Sequence, residues 1–480
     1  MTQPSFSKRT LWISVLITLV FGLASFRVTT WSTSGFLVWS DGVAYFLFAR
    51  SLVLDGNSDI TNEFEELDKL KPANSKSGTN LMDSIRVNTR YNLKTGRIYT
   101  PWPVGAGVVM APFYAVGYLT ERIVAAVSGR APNSYGVIPQ YFFGFGSLAF
   151  GLLGFWATFL CCRQIAGANW AYLGSLGAVL AGPAVFYIFV NPTMAHAMSF
   201  GLVALLTLLW WRQWNDGTRP APFALLGLLL GVLISIRLQN GIFGILLAAL
   251  LLLEVRRSSL LKALAAGLCG ALAASVPLLV QVLHSSFYGP PKASLSLQPG
   301  GLLMIGNYPL HLKSPYFFEV LFSCRHGAFY WAPVLAIGLI GLIWVARRNA
   351  WPWVFLITIF CHVYLIGGLG ISDLSGGAAV FDTSNWNEHW KGGTSFGMRY
   401  LTECTPFFAV GLAGLMQATG RRIAMHWWGA VLMLFVAWNG LLILAYGLNT
   451  VSRSYCVTYL EMTTGVGQAL TKIAGAVFGG

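Results

Sequence analysis

The sequence predicts an all-α polytopic membrane protein with about eleven transmembrane helices, and three observations support that prediction. Hydrophobic residues make up 55% of the 480-residue chain and charged residues only 10%, whereas soluble domains average about 25% charged residues. Apolar runs of roughly twenty residues, the length that crosses a bilayer, recur along the chain. The 18 tryptophans suit the aromatic belts that form where helices enter the headgroup region.

The predicted spans follow from these apolar runs. They lie near 11–30, 137–162, 169–190, 195–213, 221–236, 240–255, 260–284, 327–346, 351–371, 402–420 and 425–447. With the N-terminus inside, the short inner loops contain the arginine pairs at 256–257, 347–348 and 421–422, as the positive-inside rule requires. The formal net charge of +14 therefore reflects topology rather than a nucleic-acid partner. No small-residue cleavage site follows the first run, which indicates an uncleaved anchor.

The segment 103–127 is apolar enough for one more span, but it is predicted to lie on the outer face as an interfacial or re-entrant helix. A further crossing would place the later arginine pairs outside. The whole chain, 1–480, is then one integral membrane domain. Its predicted extracytoplasmic segments are 31–136 with its interfacial helices, 285–326, 372–400 and the C-terminal tail 448–480. Three cysteines map to that side, where a disulfide can form, but nothing in the sequence pairs Cys324, Cys404 or Cys456.

The candidate catalytic residue is Asp41, which follows the first predicted span. A carboxylate at the outer mouth of a span can act as a base that water reaches and lipid does not. Tyr45 lies one helical turn later and is a candidate substrate contact. The alternative is structural, because the residues from Ser40 onward begin an amphipathic stretch and Asp is a favoured helix N-cap.

Two further pairs of candidates lie in the first predicted outer loop. Asp59 and Glu63 belong to an acidic stretch that can orient an acceptor or bind a metal, although it lacks EF-hand spacing and also fits a solvated turn. Arg97 and Trp102 lie where the loop returns to the membrane, and prolines on both sides of Trp102 fix the backbone. Trp102 can stack on a sugar face or anchor the chain at the headgroups.

The later candidates are mostly anion binders. Arg237 is the only charged residue between Pro220 and Glu254, so it is expected to meet protein, water or an anion. The segment 386–400 combines glycines, which let backbone amides approach a ligand, with an arginine that can grip a phosphate or simply reach the headgroups. A histidine at the outer junction of two spans can shuttle a proton or merely hydrogen-bond at a helix start. The candidates from these regions are His196, Arg237, Arg325, Trp390, Lys391, Arg399 and Tyr400.

At these residues the chain resembles the GT-C superfamily of polyprenyl-phosphate-sugar-dependent glycosyltransferases, in particular the branch of protein O-mannosyltransferases and the lipid A aminoarabinose transferase. Residues 41–45 resemble its Asp-Glu-x-x-Tyr/Phe motif, and residues 99–103 resemble its Lys-Pro-Pro element. Arg237 resembles the basic residue that meets the lipid phosphate. Residues 390–400 resemble a Trp-Gly-Gly-x-Ser-x-Gly-x-Arg-Tyr stretch of bacterial members, and the resemblance spans roughly residues 10–450.

Two positions depart from the family pattern. Gly42 replaces the second acid of the Asp-Glu pair. Thr100 replaces the expected lysine, which leaves Arg97 as the candidate to supply that charge. The resemblance implies that Asp41 is the catalytic base or the carboxylate that orients the acceptor.

The resemblance implies an inverting glycosyltransferase of the bacterial cytoplasmic membrane, with its active site on the extracytoplasmic side. The donor would be a polyprenyl-phosphate-linked sugar, the acceptor a glycan, lipid or protein of the cell envelope, and membrane lipids the other partner. No soluble cofactor is implied, and a divalent metal stays open because some GT-C enzymes use one. The alternatives are an O-antigen ligase or polymerase-like enzyme and a lipid-linked sugar flippase or transporter. A transporter needs ionisable residues along a path through the spans, where Arg237 is almost alone.

Overall fold

The computed structural model of the chain is predominantly helical. It describes residues 8–32, 36–69, 90–92, 95–100, 102–288, 295–298, 302–305, 308–311, 316–369, 395–420 and 422–478. The α-helices are Lys8–Ser32, Asp41–Leu54, Thr61–Lys69, Gly105–Val127, Val137–Cys162, Ala168–Leu180, His196–Asp216, Pro220–Ile236, Gly244–Arg257, Leu260–Tyr288, Phe317–Phe322, Ala328–Trp331, Pro333–Ala346, Pro352–Gly368, Thr405–Thr419, Met425–Gly447 and Tyr459–Phe478. A π-helical turn covers Phe186–Val190, and 3₁₀ turns cover Leu238–Phe243 and Arg399–Cys404.

Several of these helices can cross a membrane. By length and composition, the helices long and apolar enough are Gly105–Val127, Val137–Cys162, Leu238–Arg257, Leu260–Tyr288 and Met425–Gly447. Shorter apolar helices are Val15–Thr30, Pro220–Ile236, Pro333–Ala346 and Pro352–Gly368. Most predicted apolar runs thus form helices with nearly the predicted bounds. Two runs differ, because the run 169–190 is an α-helix only over Ala168–Leu180 and the run 327–346 is divided into Ala328–Trp331 and Pro333–Ala346. The number of crossings and the interfacial placement of the segment 103–127 stay predictions.

The prediction of an all-α chain is incomplete, because two small antiparallel sheets interrupt the helices. Strands Arg90–Asn92 and Arg97–Tyr99 form a hairpin. Strands Leu295–Gln298, Leu302–Ile305 and Tyr308–His311 form a three-stranded meander. Each strand has only three or four residues, which is too few for an alternating pattern to distinguish it from a loop.

Glycines let neighbouring helices approach closely. The helix Pro220–Ile236 packs along Leu260–Tyr288, and a Cβ added at Gly227 would collide with the backbone of Gly270. Small residues at such contacts are typical of membrane helices, whose association depends on close packing because lipid is as apolar as the side chains. The broken helix around Arg237 is therefore held firmly on its N-terminal side.

The C-terminal segment is attached to the rest of the chain by a disulfide between Cys324 and Cys456. Next to that bond, the backbone N–H of Val457 donates to the carbonyl of Cys324 at 3.4 Å. The rings of Tyr330 and Tyr459 stack with their centroids 4.3 Å apart. The predicted tail 448–480 thus contains the helix Tyr459–Phe478 and is anchored at its start.

Candidate active site

The site is built where helices begin or break. Asp41 begins the helix Asp41–Leu54, and His196 begins the helix His196–Asp216. Arg237 is an extended residue between the end of one helix at Ile236 and the following 3₁₀ turn. The 3₁₀ turn Arg399–Cys404 packs on the helix His196–Asp216, which brings its polar side chains to the same place. Where a helix begins or breaks, the backbone can bring together side chains that the regular spacing of a continuous helix would keep apart.

Asp41 is the first helical residue, not the N-cap. The residue before it, Ser40, has φ +56° and no side-chain capping bond, and its hydroxyl donates to Asp41 Oδ1 at 3.4 Å. The Asp41 side chain is 21% exposed, whereas the helix is buried from Gly42 to Ser51. The carboxylate therefore lies at the partly exposed start of a helix whose following residues are buried up to Ser51.

Gly42, where the motif that the sequence resembles has a second acid, lies against Thr193. A Cβ added at Gly42 would lie 2.8 Å from the carbonyl oxygen of Thr193 and would also collide with that threonine's side chain. A residue larger than glycine would push the start of the helix away from the segment that leads to His196. The glycine thus allows the two helix starts to approach.

Asp41 is paired with Arg399 across the fold. The Arg399 Nη1 lies 3.4 Å from Asp41 Oδ2, and its Nη2 donates to the Tyr400 hydroxyl at 3.2 Å. Burial opposes the charge of Arg399, but the neighbouring Tyr400 and Asp41 outweigh it and raise the pKa of the guanidinium. The guanidinium thus remains a cation next to the carboxylate.

Two arginines contact the Tyr400 ring. The guanidinium carbons of Arg399 and Arg237 are 5.0 and 5.1 Å from its centroid, within the range of cation–π attraction. The result is a site with two guanidiniums beside a carboxylate, which is an arrangement suited to an anion.

Behind Arg237 lies a buried acid that the sequence analysis did not single out. Glu403 is 1% exposed, and its Oε1 is 3.1 Å from Nδ1 of the fully buried His196. Arg237 Nη1 lies 2.6 Å from the other ring nitrogen, Nε2, and 3.9 Å from the Glu403 carboxylate. The sequence feature that could have indicated Glu403 is an acidic residue in an otherwise apolar segment, four residues after Arg399.

Other predicted residues lie outside this cluster in two separate groups. Arg97 pairs with Asp59 at 3.3 Å and lies over the ring of Tyr288. Glu63 is fully buried and pairs with Arg50 at 3.0 Å, and burial raises the pKa of Glu63 to about 8 although the arginine opposes the shift. No polar contact among the described residues joins either group to Asp41.

The remaining candidate residues do not belong to the groups described above. Tyr45 is buried in the core, and Trp102 is half-buried against it. Arg325 follows the disulfide-bonded Cys324, and its buried Nε has no hydrogen-bond partner among the described residues. Trp390 and Lys391 lie outside the described residues. Within the described part of the chain, no group of three or more His, Cys, Asp and Glu side chains could hold a metal.

Comparison with known proteins identifies the fold. No family model and no curated protein matches the chain. The chain resembles ArnT from Cupriavidus metallidurans in the apo state with a TM-score of 0.51 and 14% identity, over 98% of this chain and 70% of ArnT. The chain has the fold of ArnT. This result confirms the fold to which the sequence motifs pointed.

Two further solved structures are similar at lower scores. ArnT from the same organism bound to undecaprenyl phosphate has a TM-score of 0.46 and 14% identity, over 97% of this chain and 74% of that chain. The apo oligosaccharyltransferase of Archaeoglobus fulgidus has a TM-score of 0.44 and 11% identity, over 99% of this chain and 55% of that chain. At identities this low, a reaction can be inferred only from the side chains of this protein and not from those of its structural neighbours.

Proposed function

We propose that the protein is an inverting glycosyltransferase that moves a sugar from a polyprenyl-phosphate donor to a glycan, lipid or protein of the cell envelope. The observation that carries this proposal is the ion pair of Asp41 with Arg399, together with the Tyr400 ring that both Arg399 and Arg237 contact. A solvent-accessible carboxylate supplies a base, and two guanidiniums supply a site for the leaving phosphate. The GT-C fold, shared with the aminoarabinose transferase ArnT, supports the same class of reaction.

The proposed reaction is a direct displacement at the anomeric carbon of the sugar. The acceptor oxygen forms a bond to that carbon while the bond to the phosphate oxygen breaks, so the configuration inverts. Asp41 takes the proton of the acceptor hydroxyl, and the electron pair of the broken bond leaves on the phosphate. Arg399 and Arg237 stabilise the charge that develops there, because charge-assisted hydrogen bonds in a buried site are strong.

An extracytoplasmic active site is part of the proposal. The disulfide between Cys324 and Cys456 supports that side, because such bonds persist in oxidising compartments. It lies next to Arg325, one of the predicted anion binders. The arginine pairs at 256–257, 347–348 and 421–422 support the same orientation, since their loops would then face the cytoplasm.

A reconstituted assay tests the function. The purified protein in nanodiscs is incubated with polyprenyl-phosphate-linked sugars and a cell-envelope fraction, and released polyprenyl phosphate is measured by mass spectrometry. We expect release that requires the envelope fraction and that Asp41→Asn abolishes. Movement of donor across sealed vesicles without acceptor would favour a transporter instead, and use of pyrophosphate-linked donors alone would favour a ligase-like enzyme.

A further inference from the structure

The hydrogen bonds of Arg237 leave a defined part of its guanidinium for a ligand. An arginine has five N–H groups. With the Gln239 side-chain amide oriented so that its oxygen faces the arginine, that oxygen accepts from Nη2 at 2.5 Å and from Nε at 2.7 Å. Nη1 faces the imidazole of His196, 2.6 Å from Nε2 and 3.0 Å from Nδ1. These contacts with described residues leave one N–H on Nη1 and one on Nη2, which can form a two-pronged contact with phosphate oxygens.

His196 lies between Glu403 and Arg237. Its Nδ1 is 3.1 Å from Glu403 Oε1, and both of its ring nitrogens lie within 3.0 Å of Arg237 Nη1. A carboxylate accepts a hydrogen bond, so Glu403 favours a proton on Nδ1 and fixes the orientation of the ring that contacts the guanidinium. Glu403 thus reaches Arg237 through the ring of His196.

Glu403 also supplies a counter-charge. It is 1% exposed, and Arg237 is 9% exposed, so each charge would be costly without the other. The distance between Arg237 Nη1 and Glu403 Oε1 is 3.9 Å, too long for a direct hydrogen bond but close enough for attraction. The carboxylate therefore holds Arg237 in place without occupying its remaining N–H groups.

We propose that Glu403, acting through His196, and Gln239 are positioning residues that direct the two remaining N–H groups of Arg237 at the phosphate of the donor. This inference rests on the proposed glycosyltransferase function. It assigns roles to two residues that the sequence motifs did not mark. Neither residue takes part in bond making or breaking.

The experiment measures the binding of undecaprenyl phosphate to the full-length protein in nanodiscs, so that it requires neither the sugar nor the acceptor. We expect Glu403→Gln and Gln239→Ala each to weaken binding roughly tenfold, because each removes a contact that orients a charged group. In an Arg237→Gln background, neither change should weaken binding further. Glu121→Gln is the matched control, since Glu121 is a buried acid paired with Arg130 elsewhere in the fold.

The outcomes separate this inference from the proposed function. A wild-type protein that does not bind undecaprenyl phosphate contradicts the proposed function itself. If the wild type binds but the effects of Glu403→Gln and Arg237→Gln add, Glu403 is merely structural and the inference is wrong. Tighter binding by Glu403→Gln would also overturn it, because Glu403 would then act only as a repulsive charge. If Glu403→Gln does not fold, Gln239→Ala decides by the same criteria.

Discussion

At the scale of single residues, Asp41 and Arg399 form an ion pair although 358 positions separate them in the sequence. The structural and catalytic interpretations of Asp41 predict different results for Asp41→Asn. Asn keeps the size of the side chain but cannot take a proton at neutral pH. We expect turnover to fall roughly 10²-fold or more, as for the loss of a general base.

Controls make the Asp41 prediction specific. Asp41→Asn should unfold at the wild-type temperature and should still bind undecaprenyl phosphate. The matched change Asp216→Asn, at an exposed helix end outside the site, should leave turnover unchanged. Turnover by Asp41→Asn within a few-fold of wild type would show that Asp41 is not the base.

Tyr400 offers a second test, because its ring and its hydroxyl do different work. Tyr400→Phe keeps the ring that both guanidiniums contact and removes only the hydrogen bond from Arg399, so binding of undecaprenyl phosphate should weaken by only a few-fold. Tyr400→Leu also removes both cation–π contacts, and we expect a further loss of roughly tenfold. Equal binding by the two variants, measured by titration in nanodiscs, would mean that the ring does not organise the arginines.

The sequence identified most of the polar residues in this cluster but not how they pair. Arg237, His196 and Arg399 are conspicuous because ionisable groups are costly in apolar surroundings. Glu403 lies at the start of the predicted span 402–420, and no local pattern pairs it with His196. Its contact with His196 joins positions 207 residues apart, and only the packing of helix ends determines such a contact.

At the scale of elements, the start of the helix Asp41–Leu54 determines where the carboxylate lies. Gly42→Ala would press a methyl group against Thr193, and we expect a loss of about 1–3 kcal/mol in stability, as in other overpacked sites. Gly429→Ala is the matched control, because a Cβ at that helical glycine meets nothing within 4 Å. Its helix should be unchanged or stabilised by up to about 1 kcal/mol.

The stability of the two glycine variants is measured by thermal unfolding in detergent, and their activity is measured as turnover. We expect Gly42→Ala to lose activity out of proportion to its stability, because Asp41 would move with the helix start. An active Gly42→Ala protein with wild-type stability would show that the contact with Thr193 does not constrain the helix.

Element boundaries were the part of the fold that apolar patterning predicted best. The run predicted at 137–162 is the helix Val137–Cys162, and the break expected around Arg237 is present as an extended residue. The small sheets were not predicted, because strands of three or four residues are too short to show an alternating pattern. The burial of Glu63 against Arg50 was not predicted either, because a local acidic pattern does not indicate which acid is buried.

At the scale of the whole molecule, the disulfide between Cys324 and Cys456 closes a long loop, since 132 positions separate the two cysteines. Closing such a loop stabilises a fold by about 2–5 kcal/mol. We expect a reductant to lower the unfolding temperature of the wild-type protein and to have no effect on a Cys324→Ser, Cys456→Ser double variant. A wild-type protein that shows no such change on reduction would contradict a stabilising bond.

The orientation of the whole molecule determines whether Asp41 can meet an extracytoplasmic acceptor. Ala131 lies in an exposed turn of the predicted outer region, and Ser258 lies in an exposed turn beside the arginines at 256–257, which are predicted to be inside. In intact cells, a membrane-impermeant maleimide should therefore label Ala131→Cys and not Ser258→Cys. After permeabilisation it should label both.

The wild-type protein is the control for the labelling experiment. Its free cysteines at 161, 162 and 404 are buried, those at 269 and 361 lie in apolar helices, and the disulfide-bonded pair does not react. Labelling above this background thus reports the introduced cysteine. The reverse pattern would contradict the predicted topology. The arginine pair at 256–257 would then face the outside against the positive-inside rule, either because the whole chain is inverted or because the segment 103–127 crosses the membrane.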